Sequence, residues 1–241
     1  MSRVKQHYEE VLSDVYSWVY GGFEINIQRN IEFFKKYNLS PQGSGIAIDL
    51  GAGCGFQSIP LAKAGYTVTA IDFDAKLLRE LKKNSGDLEI KTIQGDLIDF
   101  DKELNSGVEL FVCMTDTILH LESKEKVISL FSKVFTALES GGKFIITFRD
   151  LTYELRDADR ILPVRSDEDT IFTCFLEYEP ETVKVYDIVY RKLDEEWKLS
   201  KSFYRKLRLP EAWISEHLSQ CGFSKIASTT ENGFITIVAS I

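Results

Sequence analysis

No apolar run in this 241-residue chain approaches the roughly 20 residues that cross a bilayer as a helix, which excludes a helical membrane protein. The opening residues, Met1-Ser2-Arg3-Val4-Lys5, lack the apolar core of a signal peptide. Paired cysteines are missing as well. Cys54, Cys113, Cys174 and Cys221 stand far apart without CxxC spacing, so a zinc frame or disulfide scaffold is excluded. Reduced thiols in a cytoplasmic protein without a metal are expected instead. Positive charge is not in excess. The net charge is −8, which argues against a nucleic-acid backbone as the usual partner. Internal repeats and low-complexity stretches are absent. What remains is 44% hydrophobic and 27% charged, an ordinary balance for a globular chain long enough to bury a full core.

One stretch organises the rest. Ile46-Ala47-Ile48-Asp49-Leu50 is a short apolar run suited to a strand buried on both faces. A turn follows at Gly51, Gly53 and Gly55, where missing Cβ atoms let the backbone bend tightly and approach a ligand. Ile59, Leu61 and Ala62 then resume a helical pattern. A second strand ends at Asp72, whose carboxylate can accept from both hydroxyls of a ribose. Strand, glycine turn and helix is how α/β sheets hold nucleotide-like ligands. The dinucleotide fingerprint G-x-G-x-x-G/A does not fit. Counted from Gly51, its third small residue falls on Phe56, which would obstruct helix–strand packing. A nicotinamide-dependent oxidoreductase is therefore the weaker alternative.

The pattern D-x-G-x-G-x-G from Asp49, with Asp72 at the next strand end, resembles the first motif of the class I S-adenosylmethionine-dependent methyltransferases. The resemblance covers about residues 45–150. It implies an α/β fold with a Rossmann-like, seven-stranded, mostly parallel sheet and S-adenosyl-L-methionine as cofactor. It implies that Asp96 accepts from the adenine amino group while Leu97 lies along the ring. Further cofactor contacts are expected from Asp49, Gly51, Ala52, Gly53, Gly55, Asp72, Phe73 and Met114. Tyr16, Trp18 and Tyr20 are expected to join them from the N-terminal segment.

The run Cys113-Met114-Thr115-Asp116-Thr117-Ile118-Leu119-His120 is similar to its counterpart in glycine N-methyltransferase and related small-molecule enzymes. There an Asn stands at the Asp116 position and the His is shared. Arg149 stands where the glycine enzyme grips its substrate's carboxylate. Asp116, His120 and Arg149 are thus the candidate catalytic set, with a small anionic methyl acceptor as partner and neither nucleic acid nor membrane involved. An imidazole with its ordinary pKa near 6.5 would suit proton removal at neutral pH. Each residue also has a plainer reading: His120 bonded to backbone, Asp116 capping a helix from Thr117, Arg149 pairing with Asp150 or Asp157. The strand-four end lacks the Asn/Asp-Pro-Pro-aromatic segment that stacks a flipped base. A non-catalytic S-adenosylmethionine-binding protein is the alternative from another class.

Periodicity predicts helices over 3–20 and 23–37, then strands near 45–50, 66–72, 88–94, 108–114 and 142–149. Helices between them fall near 55–64, 74–84 and 122–139, the last stopped by Gly141-Gly142. Residues 151–166 read as loop, followed by three strands of an antiparallel β insertion after the fifth strand. A helix starting at Pro210 and a hairpin turning at Glu231-Asn232-Gly233 close the chain. The expected organisation is a helical lid (1–40), a cofactor domain (41–150 and 207–241), and the insertion (151–206) over the substrate site.

Overall fold

The computed structural model describes residues 3–103 and 107–241. Its N-terminal segment is not the single helix that periodicity predicts. It breaks into α1 (Arg3–His7), a π-helical turn (Tyr8–Leu12) and α2 (Tyr16–Val19). The cause is tertiary. The Ser13 hydroxyl donates to Asp74 Oδ2 at 2.6 Å, pinning the break to the main body. Val11, Leu12 and Val15 then bury against Phe56, Leu77 and Phe172. Gly21 and Gly22, at φ 97° and 106°, turn the chain into α3 (Phe23–Lys36).

The frame is a parallel sheet of β1 (Ile46–Leu50), β2 (Thr67–Asp72), β3 (Ile90–Gln94), β4 (Val108–Cys113) and β5 (Leu138–Arg149). Its crossover helices are α4 (Ser58–Lys63), α5 (Ala75–Asn84) and α6 (Lys124–Ala137). Asp74 caps α5 by accepting from Lys76 N and Leu77 N, and Ser123 caps α6 by accepting from Lys126 N. Gly141 and Gly142 do not stop α6. They lie inside β5, where any Cβ on Gly142 would come within 2.8 Å of Glu139 O.

Residues 151–166 are not all loop either. A 3₁₀ turn (Asp157–Arg160) leads into β6 (Ile161–Ser166), which pairs with β7 (Thr170–Tyr178) across a register shift at Pro163/Arg165. Proline is tolerated on such an edge strand. With β8 (Thr182–Leu193) and β9 (Glu196–Leu207), the insertion is a four-stranded antiparallel sheet, not three-stranded. The chain returns through α7 (Glu211–Cys221) and the hairpin β10 (Lys225–Glu231) and β11 (Phe234–Ser240). Asn232 and Gly233 both have positive φ, as a two-residue primed turn requires. β11 runs antiparallel to β5, giving the seven-stranded order β10-β11-β5-β4-β1-β2-β3. Strand order reverses between β1 and β4, and a crevice opens beyond their carboxyl ends. No helix among the described residues is long and apolar enough to cross a membrane.

Candidate functional site

The three glycines of the turn have different tasks. Gly51, Gly53 and Gly55 all have positive φ. A Cβ on Gly51 would collide with the Thr117 side chain, and one on Gly55 would lie 2.8 Å from Leu81 Cγ. Those two serve packing. A Cβ on Gly53 meets nothing closer than Tyr16 Cε1 at 3.7 Å, so the space above it is open. Gly53 N donates to Asp72 Oδ2 at 2.8 Å, and Asp74 N to Asp72 Oδ1 at 2.7 Å. Each oxygen keeps acceptor capacity for a ligand hydroxyl. Burial pushes the Asp72 carboxyl up to about 6, against the backbone donors that favour its charge.

Gly51, Gly53, Asp72, Phe73, Asp96 and Leu97 converge on one cavity of about 640 Å³. That volume is ample for a nucleoside-sized ligand. Tyr16 and His120 also line it, as does Tyr8, which the motif reading did not single out. Asp96 spends Oδ1 on Ile98 N at 3.1 Å and has its second oxygen to offer. The cradle above Gly53, the two strand-end carboxylates and the adjacent Leu97 suit an adenosine-bearing ligand.

Other expected contacts lie elsewhere. Asp49 sits behind the turn, where Ser58 Oγ donates to it at 2.6 Å and burial raises its carboxyl to about 7. Ala52 packs with Ala70, Leu78 and Leu81, and Met114 with Phe34, Leu61 and Val112. Gly55 faces α5. Trp18 turns away, its Nε1 donating to Asp167 Oδ2 at 2.6 Å. Tyr20 lines a second cavity of about 540 Å³, together with Arg149.

Asp116 and Arg149 do meet. Thr115 and Asp116 both hold positive φ, 57° and 69°, rare for consecutive non-glycine residues. The kink is tied to β5: Asp116 N donates to Thr147 O, and Thr115 N to Thr147 Oγ1. Asp116 stands at the N-cap position of the 3₁₀ turn Thr117–His120, as one reading of the sequence expects, but its side chain makes no capping bond. Its Oδ1 accepts from Arg149 N at 2.7 Å; its Oδ2 accepts from Lys206 Nζ at 2.6 Å and lies 3.2 Å from the Arg149 guanidinium. Burial opposes its ionisation, but Lys206 and Arg149 outweigh that and bring the carboxyl down to about 2. At neutral pH Asp116 is an anion, and Arg149 pairs with it, not with Asp150 or Asp157.

His120 ends a 3₁₀ turn (Thr117–His120) and stacks on Tyr204 with centroids 5.2 Å apart. Its Nδ1 is buried without a partner, so it is not tied to backbone there. Burial, reinforced by Lys206, pushes the imidazole down to about 3. At neutral pH it is uncharged, far from the value near 6.5 that would suit a base. It presents a neutral wall. Lys206, His7 and Asp187 escaped the sequence reading. His7 Nε2 lies 2.8 Å from Asp187 Oδ2, fully buried, joining α1 to β8. A signal for Asp187 exists: it breaks the inward series Val183, Val185, Val189 on β8.

Comparison with known proteins agrees with this geometry. Residues 47–142 match the family model described as a methyltransferase domain. Glycine/sarcosine N-methyltransferase of Aphanothece halophytica is 26% identical over 49% of this chain and 45% of its own length. The match therefore spans less than half of that relative. An S-adenosylmethionine-dependent methyltransferase from Clostridium acetobutylicum superposes with TM-score 0.74 at 17% identity, covering 95% of both chains. Streptomyces venezuelae DesVI gives 0.76 at 17% identity, covering 95% and 97%. Residues 47–142 thus resemble a methyltransferase domain, and the chain as a whole has the fold of these S-adenosylmethionine-dependent methyltransferases.

Proposed function

We propose that the protein is a cytoplasmic enzyme that methylates nitrogen or oxygen on a small, polar, anionic metabolite, with no nucleic acid or membrane in its cycle. The observation that carries this is the cavity where Gly53, Asp72, Asp96 and neutral His120 meet, adjoining the paired Asp116 and Arg149. When bound, S-adenosylmethionine supplies an electrophilic sulfonium methyl. Asp72 and Asp96 hold the ribose and adenine ends. His120 adds no positive charge that would repel a sulfonium. Tyr8 and Tyr16 close the cavity against water. The Asp116 anion, fixed by Lys206, orients Arg149, whose fork reads the acceptor's anionic group. Such alignment and desolvation are most of what an activated methyl donor requires. An oxidoreductase reading gains nothing from the matched family.

Incubating the protein with labelled cofactor and a metabolite extract should yield a labelled small anion. With that acceptor, Arg149→Lys should raise KM while leaving cofactor affinity nearly intact, since an ammonium cannot reproduce a bidentate fork. A labelled macromolecule, or a neutral product indifferent to Arg149→Lys, would sink the substrate assignment.

Asp72 makes cofactor binding pH-dependent. Its charged form is the acceptor, and it protonates as pH falls through about 6. Affinity for S-adenosylhomocysteine should therefore fall about tenfold between pH 7.5 and pH 5. Asp72→Asn should bind more weakly at neutral pH and flatten the profile. A wild-type titration that is flat over that range contradicts the ribose role.

The N-terminal segment is proposed as a lid, with residues 151–206 covering the acceptor side. Tyr8 and Tyr16 line the cavity from short, interrupted helices. Hydrogen exchange over residues 3–22 should slow when S-adenosylhomocysteine binds. Equal exchange with and without ligand leaves the segment as packing alone.

A further inference from the structure

The second cavity has a composition at odds with the chain. Its charged wall residues are Arg29 on α3, Arg149 at the end of β5 and Arg165 on β6, with no carboxylate among them. The chain as a whole has net charge −8. Three guanidiniums drawn from three separate elements therefore converge in a chain where acidic residues outnumber basic ones. Two of them are laid against rings: Arg149 lies 5.0 Å from the Phe234 centroid and Arg165 5.2 Å from that of Trp18. Stacking of this kind holds the plane and leaves the fork edges free.

Nearby carboxylates offset only part of this charge: Asp167 lies near enough to Arg165 to interact with it electrostatically. Asp116 is shared between Lys206 and Arg149. Asp167, the acid beside Arg165, is committed to Trp18 Nε1 and to the backbone N–H groups of Asp169 and Thr170. Among the described residues, neither Arg29 nor Arg165 forms an ion pair. With Asp116 and Asp167 set against Arg149, Arg165, Lys206 and Arg29, positive charge remains in excess around the cavity. The cavity also borders the methyl-donor site. Tyr20 and Phe56 line it, Tyr16 lines the cofactor cavity, and the Tyr16 ring is 4.9 Å from Tyr20 and 5.9 Å from Phe56. Tyr16 on one side, packed against Tyr20 and Phe56 on the other, forms the aromatic wall between the two.

We propose that this second cavity binds a doubly charged oxyanion, the tail of the methyl acceptor, through Arg29, Arg149 and Arg165. This deepens, and rests on, the reading of the protein as a methyltransferase for an anionic metabolite. A phosphomonoester or a dicarboxylate has the required charge; a simple amino acid, with one carboxylate, does not. The acceptor enters by a mouth separate from the cofactor's, and its reacting end reaches the donor past Tyr16 and Tyr20. Either ligand then binds without the other.

The test is calorimetric titration with inorganic phosphate, and separately with succinate, at pH 8 and constant chloride-balanced ionic strength, with and without S-adenosylhomocysteine. Saturable binding of at least one dianion is expected, unaffected by S-adenosylhomocysteine. The double variant Arg29→Gln/Arg165→Gln should weaken it by about tenfold or more, while S-adenosylhomocysteine affinity stays within about twofold. Both side chains are exposed, so thermal unfolding should match wild type; Arg165→Glu alone provides a second variant. Phosphate tighter than succinate selects a phosphomonoester, and the reverse a dicarboxylate. Absence of saturable binding, equal affinity in the variants, or displacement of S-adenosylhomocysteine by the dianion would overturn the proposal. Failure of wild-type protein to bind S-adenosylhomocysteine would overturn the methyltransferase reading instead, and the dianion titration would still decide the anion site.

Discussion

Lys206→Met should lower stability by about 3–5 kcal/mol, a fall of roughly 6–20 °C in Tm for a chain of this size. The reason is the state in which it leaves Asp116. That carboxylate is 1% exposed, and Lys206 Nζ, itself 5% exposed as a residue, is its shortest contact at 2.6 Å. Removing one partner of a buried pair leaves an under-compensated charge, which costs more than the pair contributes. The double variant Asp116→Asn/Lys206→Met should therefore recover most of the loss. A pH signature accompanies this. Asp116 is depressed to about 2 in the folded protein. Its contribution is present above the unfolded value near 3.9 and is lost as pH falls through about 2, on the order of 2–3 kcal/mol in all. The double variant should lack that acid-limb slope in urea unfolding. A Lys206→Met protein as stable as wild type would remove Lys206 from the account of how Asp116 stays charged.

Gly53→Val should weaken S-adenosylhomocysteine binding by about a hundredfold or more, equivalent to about 2.7 kcal/mol, with only modest loss of fold stability. The Cβ itself is tolerated, its nearest neighbour being Tyr16 Cε1 at 3.7 Å, but the branched methyls occupy the space where a ligand must approach. The backbone, at φ 52°, adds about 1–2 kcal/mol of strain for a residue with a side chain. Gly51→Ala is the contrasting control. Its Cβ strikes Thr117 at φ 79°, so it should destabilise the fold before it tests any ligand. Calorimetry and thermal unfolding on both variants separate the effects. Unchanged affinity in folded Gly53→Val would contradict the assignment of the cavity to the cofactor.

The chain's own order made a large part of this legible. Asp49 to Asp72 is one continuous strand–turn–helix–strand, so its geometry follows from neighbours in sequence and from backbone freedom at glycine. The caps at Asp74 and Ser123, the Asn232-Gly233 turn and the parallel strand ends are local in the same way. The convergence of Gly53, Asp72, Asp96 and Leu97 on one cavity follows from parallel strands that all end at one edge. Where reading by adjacency failed, the cause was side-chain direction. Ala52, Met114 and Trp18 sit beside functional positions yet point into packing or to the surface, a difference that sequence spacing alone does not encode.

By itself the sequence determined the α/β class, the glycine cradle and the acidic strand ends, because each rests on contacts within a few residues of chain. Tertiary structure decided the charge state of the site. Lys206 reaches Asp116 across 90 positions, and His7 reaches Asp187 across 180. Burial among Tyr8, Tyr204 and Lys206 strips His120 of the pKa its type would have. It was also tertiary structure that put Arg149 in a cavity with Arg29 and Arg165, on the far side of an aromatic wall from the cavity above Gly53. Electrostatics in a protein interior depends on distance and solvent exclusion, and neither is set until the chain has folded.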